Sequence, residues 1–115
     1  MILTIEIRVK EENFQEIYQM LNALVPAIRR EKGCIECRVY RDIEDGNIFF
    51  LSVRFRQRAD LANYMGTNSG SALLGAIDLL GKEARVMLDE NSPWESIDAL
   101  KKLRSKERIM DIGGQ

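Results

Sequence analysis

Residues 33–58 decide the fold of this chain, and they read GCIECRVYRDIEDGNIFFLSVRFRQR. Two runs in this stretch, 33–42 and 48–56, alternate apolar and polar side chains with a period of two, which is typical of half-buried β-strands. Between them lies Glu44-Asp45-Gly46-Asn47. An Asp-Gly pair in that position is a strong hairpin signal, because glycine accepts the positive φ of a tight turn. The stretch therefore predicts a β-hairpin onto which the rest of the chain packs.

The spacing of apolar residues predicts the elements outside the hairpin. Apolar and polar residues alternate from Ile2 to Val9, whereas between Asn13 and Lys32 apolar residues recur every three or four positions. Gly33 is the expected end of that helix, and Pro26 is expected to kink it. The other predicted elements are a short helix from Ala59 or Asp60 to Gly66, a helix from the Thr67–Gly70 cap to Gly81, a strand over 83–88, and a last helix starting at Ser92-Pro93-Trp94-Glu95.

The order strand, helix, strand, strand, helix, strand is that of the split βαβ, ferredoxin-like α+β fold with a four-stranded antiparallel sheet. We expect one such domain over residues 1–90, followed by a C-terminal helical extension over 91–115. Right-handed crossovers place the helices on one face of the sheet and leave the other face bare. The predicted bare face holds apolar groups and charges of both signs, namely Ile2, Thr4, Glu6, Arg8, Glu36, Arg38, Tyr40, Ile48, Phe50, Ser52, Arg54 and Met87.

A mixed apolar and charged face of that size suits a homodimer formed sheet against sheet. The C-terminal helix has two interpretations: it clasps the partner, or it covers an edge of its own sheet. With a net charge of −1 over 115 residues, the chain has no basic field for nucleic acid, and no apolar run is long enough to span a membrane. We expect no nucleic-acid or membrane partner and a cytoplasmic protein.

Cys34 and Cys37 form a C-x-x-C spacing, which is found in redox and metal sites. On a regular strand, residues three apart point to opposite faces, so these thiols are not expected to meet. Because the chain has no histidine and no other cysteine, a closed zinc site within one chain is not expected either. We interpret both cysteines as unpaired, mostly buried thiols.

Four segments carry a resemblance to a known family: Lys32-Gly33-Cys34, Val39-Tyr40-Arg41-Asp42, Val53-Arg54-Phe55 and Gln57-Arg58-Ala59-Asp60-Leu61. Together they resemble the antibiotic biosynthesis monooxygenase family of dimeric α/β barrels, over about residues 1–90. The resemblance implies a small dimer that oxidises quinols or polycyclic phenols with O₂, without metal, flavin or other cofactor. Some members cleave haem, and others have no known activity.

The chain departs from the family pattern at the positions that carry chemistry. The histidine of quinol-oxidising members falls at Tyr64, and their tryptophan falls at Phe55. The asparagine, tryptophan and haem-ligating histidine of haem-degrading members fall at Ile7, Phe55 and Leu74. Since the chain has no histidine, axial haem ligation of that kind is excluded.

Tyr64 is the candidate catalytic residue, because a buried tyrosine hydroxyl needs a partner and can present its proton to a substrate oxygen. The alternative is an ordinary core tyrosine, since a phenol with a pKa near 10 is a poor base at neutral pH. Asn63 and Asn68 are candidates for hydrogen bonds to a substrate. The predicted apolar walls are Phe55, Ile7, Phe14, Tyr18 and Met65.

Two functional hypotheses follow from different classes. One is a cofactor-independent monooxygenase acting on a quinol-like or polycyclic aromatic substrate. The other is a catalytically silent dimeric module that binds a small apolar ligand or a protein partner. The fold alone does not separate them.

Overall fold

A computed structural model describes residues 1–103 of the chain. These residues form an α+β fold, which confirms the predicted class. The chain follows the order β1 (Ile2–Val9), a 3₁₀ turn (Glu11–Asn13), α1 (Phe14–Arg29), β2 (Cys34–Arg41), β3 (Ile48–Phe55), α2 (Arg58–Met65), α3 (Asn68–Leu80), β4 (Gly81–Leu88), β5 (Trp94–Ser96) and a helix α4 that is described over 98–103.

The strands form one antiparallel sheet in the order β2-β3-β1-β4-β5. Its first four strands are the predicted ones, and β5 adds a fifth. The predicted helix start at Ser92–Glu95 is wrong, because Trp94 and Ser96 pair with Met87 and Arg85 of β4. The Ser92 hydroxyl donates to the carbonyl of Leu88 at 2.7 Å. Residues 94–96 form strand hydrogen bonds with the free edge of β4 instead of a helical turn. Helix α4 begins only at residue 98.

The β2–β3 hairpin forms with the predicted strands, but its turn works differently from the prediction. Gly46 does not adopt a positive φ. Asp42 instead organises the turn, because its Oδ2 accepts the backbone N–H groups of Glu44 and Asp45 at 3.1 and 2.7 Å. Asp45 Oδ1 in turn accepts the N–H of Asn47 at 3.0 Å. Three hydrogen bonds to two aspartate side chains therefore replace the glycine-dependent turn.

The helices cover one face of the sheet, as predicted. The inward residues of β1 alternate strictly with half-buried ones, and they pack with Ile17, Leu21 and Ile28 of α1 in a single core. Thr67 caps α3 as expected, since its Oγ1 accepts the N–H of Gly70 at 3.1 Å. Within residues 1–103, no helix is long and apolar enough to cross a bilayer.

The two cysteines lie on the same face of β2, so the prediction of opposite faces is wrong. A β-bulge between Cys34 and Glu36 shifts the register, so that Cys34 pairs with Phe55 and Cys37 pairs with Val53. A bulge inserts one extra residue into a strand. It thereby cancels the alternation that would have separated the thiols. Both are free, with Cys37 fully buried and Cys34 half-buried.

Candidate functional site

Tyr64 lies inside the protein, where α2 packs on the end of β3. Its side chain is 2% exposed, and its ring centroid is 6.1 Å from that of Phe55. Among residues 1–103, no atom makes a hydrogen bond of normal geometry with the Tyr64 hydroxyl. The Ser69 side chain lies close enough to lower the pKa of this hydroxyl by hydrogen bonding, but its geometry falls short of a normal hydrogen bond. A buried hydroxyl without a full partner is costly, and such an atom marks a place where a ligand atom gains a bond.

The environment of Tyr64 keeps its hydroxyl protonated. Burial is the main cause that raises the pKa of Tyr64 from 10.0 to about 12; Ser69 acts in the opposite direction, and Glu31 and the two cysteine thiols add to the rise. At neutral pH this group is therefore a hydrogen-bond donor rather than a base. The donor could stabilise negative charge on a phenolic oxygen that binds next to it.

The two thiols lie near Tyr64 but have little nucleophilic character. Burial raises the pKa of Cys37 to about 12, with a smaller contribution from Cys34. Burial also raises the pKa of the Cys34 thiol. Since the thiolate is the reactive form, neither cysteine is activated for redox chemistry. Among the described residues, no group of three or more His, Cys, Asp or Glu side chains is arranged to hold a metal ion.

The structure divides the predicted site residues between two places. Phe55 and Met65 are buried near Tyr64, and Met65 is fully enclosed. Phe14 and Tyr18 instead stack beside Phe49, at the opposite end of β3. Phe49 and Phe55 are six residues apart on one strand, which separates them by about 20 Å.

The remaining predicted residues do not line a shared pocket with Tyr64. Ile7 pairs across the sheet with Phe49, so it belongs with Phe14 and Tyr18. Asn63 and Asn68 are exposed, on the last turn of α2 and the first turn of α3. A cavity of about 340 Å³ lies instead on the face of the sheet that the helices leave bare, the open sheet face, between Glu6, Arg8 and Arg85.

Sequence reasoning missed the buried carboxylate of Asp60. Asp60 is 6% exposed and belongs to the first turn of α2, where negative charge meets the positive end of the helix dipole. Its side chain packs against Gly33, whose φ is +82°. An apolar core rarely accepts a carboxylate. The sequence signal for this contact is Gly33 itself, and the sequence pattern explains that glycine as the end of a helix.

We expect the free energy of unfolding to fall as the pH rises from about 9 to about 12. The ordinary pKa values of Cys37 and Tyr64 are 9.0 and 10.0, whereas both are raised to about 12 in the folded protein. As the pH rises, the unfolded chain therefore releases these protons before the folded chain does. The contribution of the two groups to the free energy of unfolding is fully present below about pH 9 and is lost as the pH approaches about 12. Urea unfolding across this range measures the decline. Tyr64→Phe should make it shallower, and an unchanged slope would contradict the assignment.

The sequence matches one family model, which is described as antibiotic biosynthesis monooxygenase, over residues 1–72. No curated protein matches the sequence significantly.

Several solved structures share the fold. One is an antibiotic biosynthesis monooxygenase that is 22% identical, with a TM-score of 0.71 over 81% of this chain and 100% of that one. Rv0793 from Mycobacterium tuberculosis is 21% identical, with a TM-score of 0.68 over 79% and 97%. A conserved protein of unknown function from Bacteroides thetaiotaomicron is 21% identical, with a TM-score of 0.69 over 74% and 89%. At these identities the likeness establishes the fold.

Proposed function

We propose a function from one premise: the chain belongs to the antibiotic biosynthesis monooxygenase family, whose model matches residues 1–72. The proposed activity is an O₂-dependent monooxygenation of a quinol-like or polycyclic phenolic substrate, without a bound metal or organic cofactor. The single observation that supports it in this chain is the buried Tyr64 hydroxyl, which has no hydrogen-bond partner of normal geometry among residues 1–103.

The role proposed for Tyr64 is that of a donor to the reacting substrate. Oxidation by O₂ requires an electron-rich substrate, and a phenolate is far richer in electrons than the neutral phenol. The substrate gives up its phenolic or enolic proton to solvent, and the Tyr64 hydroxyl, held protonated by burial, donates a hydrogen bond to the resulting anionic oxygen and stabilises its charge. The enclosed position beside Phe55 excludes water, which strengthens that bond.

The overall reaction needs no further reductant for a substrate of the anthrone type. The substrate's CH₂ group supplies two hydrogens and two bonding electron pairs. One oxygen atom of O₂ becomes the new carbonyl oxygen, and the other leaves as water with both hydrogens. Tyr64 changes neither its oxidation state nor its net protonation in this scheme.

Access to Tyr64 is proposed to occur at the connection between α2 and α3. Asn63 and Asn68 lie exposed on either side of this connection, where they can bond a polar edge of the substrate. Thr67 closes the connection, since its Oγ1 donates to the Tyr64 carbonyl at 2.6 Å. Opening of this short segment would expose the Tyr64 hydroxyl without disturbing the sheet.

We also propose that the protein is a homodimer formed through the open sheet face. Phe50 and Ile48 lie on this face opposite Glu6 and Arg8 of β1. Arg8 pairs with Asp45 at 3.1 Å and Glu83 at 3.5 Å. Apolar groups among charges that are already paired favour a self-complementary interface. Light scattering tests it, with an expected mass of twice the 13.2 kDa of the chain.

The test of the activity is oxygen uptake by the purified protein with chemically reduced naphthoquinols and anthrones. Uptake above the autoxidation rate is expected in the wild type. Loss of one donor to a developing oxyanion reduces the rate by about 100-fold, so Tyr64→Phe should lower kcat by that order. Tyr18→Phe is the matched control, because Tyr18 is 45% exposed and remote from Phe55. Equal rates in wild type and Tyr64→Phe would overturn the role of Tyr64.

The enclosure of Tyr64 favours a second candidate, the catalytically silent module, which would bind a small apolar ligand or a protein partner away from Tyr64. Tyr64 is 2% exposed and Met65 beside it is fully buried, so the closed form holds no ready substrate space. Folded, dimeric protein that consumes no oxygen with any member of the panel would favour this candidate over the monooxygenase.

A further inference from the structure

Three aromatic residues form a stack at the end of the sheet remote from Tyr64, which we call the aromatic ledge: Phe14, Tyr18 and Phe49. The ring centroids of Phe14 and Tyr18 are 5.9 Å apart at an interplanar angle of 25°. Phe49 lies beneath, 5.5 Å from Phe14, and is 2% exposed. Tyr18 is 45% exposed. The ledge thus has a fixed inner part and an outer ring that is open to solvent.

The guanidinium of Arg41 is held over this ledge. Its Cζ lies 4.5 Å from the centroid of the Phe14 ring, and its Nε donates to the carbonyl of Gly46 at 2.8 Å. A Cβ at Gly46 would lie 2.5 Å from Arg41 Nη2. The absence of a Cβ at Gly46 therefore permits this close approach. The φ of Gly46 is not positive, so the backbone conformation does not itself require glycine here. Two independent contacts fix the plane of the guanidinium.

Arg41 has no acidic partner among residues 1–103. Of the three carboxylates in the turn, that of Glu44 is exposed and forms no ion pair with Arg41 among residues 1–103. The other two already accept hydrogen bonds. Asp42 accepts two backbone N–H groups of the turn, and Asp45 accepts from Arg8 and from the N–H of Asn47. The terminal N–H groups of Arg41 remain available, in the planar fork that binds carboxylate or sulfonate groups through two bonds.

An open hollow of about 500 Å³ adjoins this guanidinium and is lined by Arg41, Asp42, Ile43 and Gly46. Ile43 is 99% exposed, so an apolar side chain stands free at its rim. The hollow lies on the helical side of the sheet, because Arg41 pairs directly with Phe49 across β2 and β3. A dimer through the open sheet face would leave it uncovered.

We propose that the aromatic ledge and Arg41 form a binding site for a planar aromatic anion, such as a carboxylate on a fused ring. The anionic group bonds the free edge of the guanidinium, and the ring lies against the exposed face of Tyr18. The site does not rest on the proposed function, since about 20 Å of β3 separates it from Tyr64.

The test is a calorimetric titration of the full chain with 2-naphthoate and with 2-naphthamide, its uncharged analogue. Charge-assisted hydrogen bonds are stronger than neutral ones, so 2-naphthoate should bind at least about tenfold more tightly than 2-naphthamide, a difference of about 1.4 kcal/mol. Arg41→Gln should remove that difference. Tyr18→Leu should weaken the binding of both compounds about threefold, because the ligand ring loses its stacking partner. Absence of 2-naphthoate binding up to about 5 mM would overturn the proposal, because a Kd of that size corresponds to a binding free energy of only about −3 kcal/mol.

Two control variants separate this site from a purely structural role of Arg41 and from Tyr64. Arg56→Gln removes another exposed arginine and should leave both affinities unchanged. Tyr64→Phe should also leave them unchanged, and loss of 2-naphthoate binding there would place the ligand at Tyr64 and overturn the proposal. If Arg41→Gln lowers stability but keeps the tenfold preference, Arg41 serves only the hairpin and the proposal fails.

Discussion

Gly33→Ala is expected to lower the free energy of unfolding by about 3 kcal/mol. The φ of Gly33 is +82°, and a Cβ there would lie 2.2 Å from both Cγ and Oδ2 of Asp60. The left-handed conformation costs an L-residue about 1–2 kcal/mol, and overpacking adds about 1–3 kcal/mol. Asp60 is 6% exposed, so its carboxyl has little room to move. Urea unfolding of wild type and variant measures the loss.

A double-mutant cycle with Asp60→Gly separates the two causes. Removing the Asp60 side chain abolishes the collision but leaves the φ of Gly33 unchanged. The cost of Gly33→Ala should therefore fall by at least about 1 kcal/mol in the Asp60→Gly background. Additive losses would show that the backbone conformation alone requires glycine at this position.

Gly70→Ala is expected to cost about 2–3 kcal/mol, although glycine is a poor residue within a helix. A Cβ on Gly70 would lie 2.3 Å from the carbonyl oxygen of Tyr64 and 2.9 Å from Cα of Met65. Both atoms belong to the backbone of α2, which cannot give way as a flexible side chain would. Helix α3 would have to move from α2, and packing around Tyr64 would loosen.

Gly75→Ala provides the matched control on the same helix. No heavy atom outside the local helix lies within 4 Å of the Cβ position at Gly75. Alanine there should raise stability by about 0.5–1 kcal/mol through helix propensity alone. Thermal or urea unfolding of both variants therefore gives opposite signs. If Gly75→Ala lowered the free energy of unfolding as much as Gly70→Ala does, the cost at Gly70 could not be assigned to its contact with α2.

Most of the sheet could be predicted because its pattern is local. The alternation in β1 and in the hairpin fixes which side chains face the helices, and Thr67 marks the start of α3 by its side chain alone. The segment from Ser92 to Glu95 could not be predicted in this way. Its capping-box pattern is a local preference, whereas its pairing with β4 depends on an edge that exists only in the assembled sheet.

The candidate site was harder to predict because it depends on distances along strands. Phe14 and Tyr18 belong to the predicted helical face, but facing the same side does not bring them to Tyr64. The length of β3 separates them. The bulge after Cys34 was likewise absent from the pattern, since one extra residue changes the face of a thiol without changing composition. Only pairing partners reveal either feature.

The bulge in β2 also bears on the behaviour of the protein at high concentration. Within one chain, β2 is an outer strand of the sheet, and a long regular outer strand is a template for aggregation. The bulge interrupts the hydrogen-bond ladder near Ile35, which is 56% exposed, and charged Glu36 and Arg38 follow at once. The opposite edge, β5, has only three residues. Both boundaries of the sheet thus discourage fibril-like growth, and a straightened β2 would remove that protection.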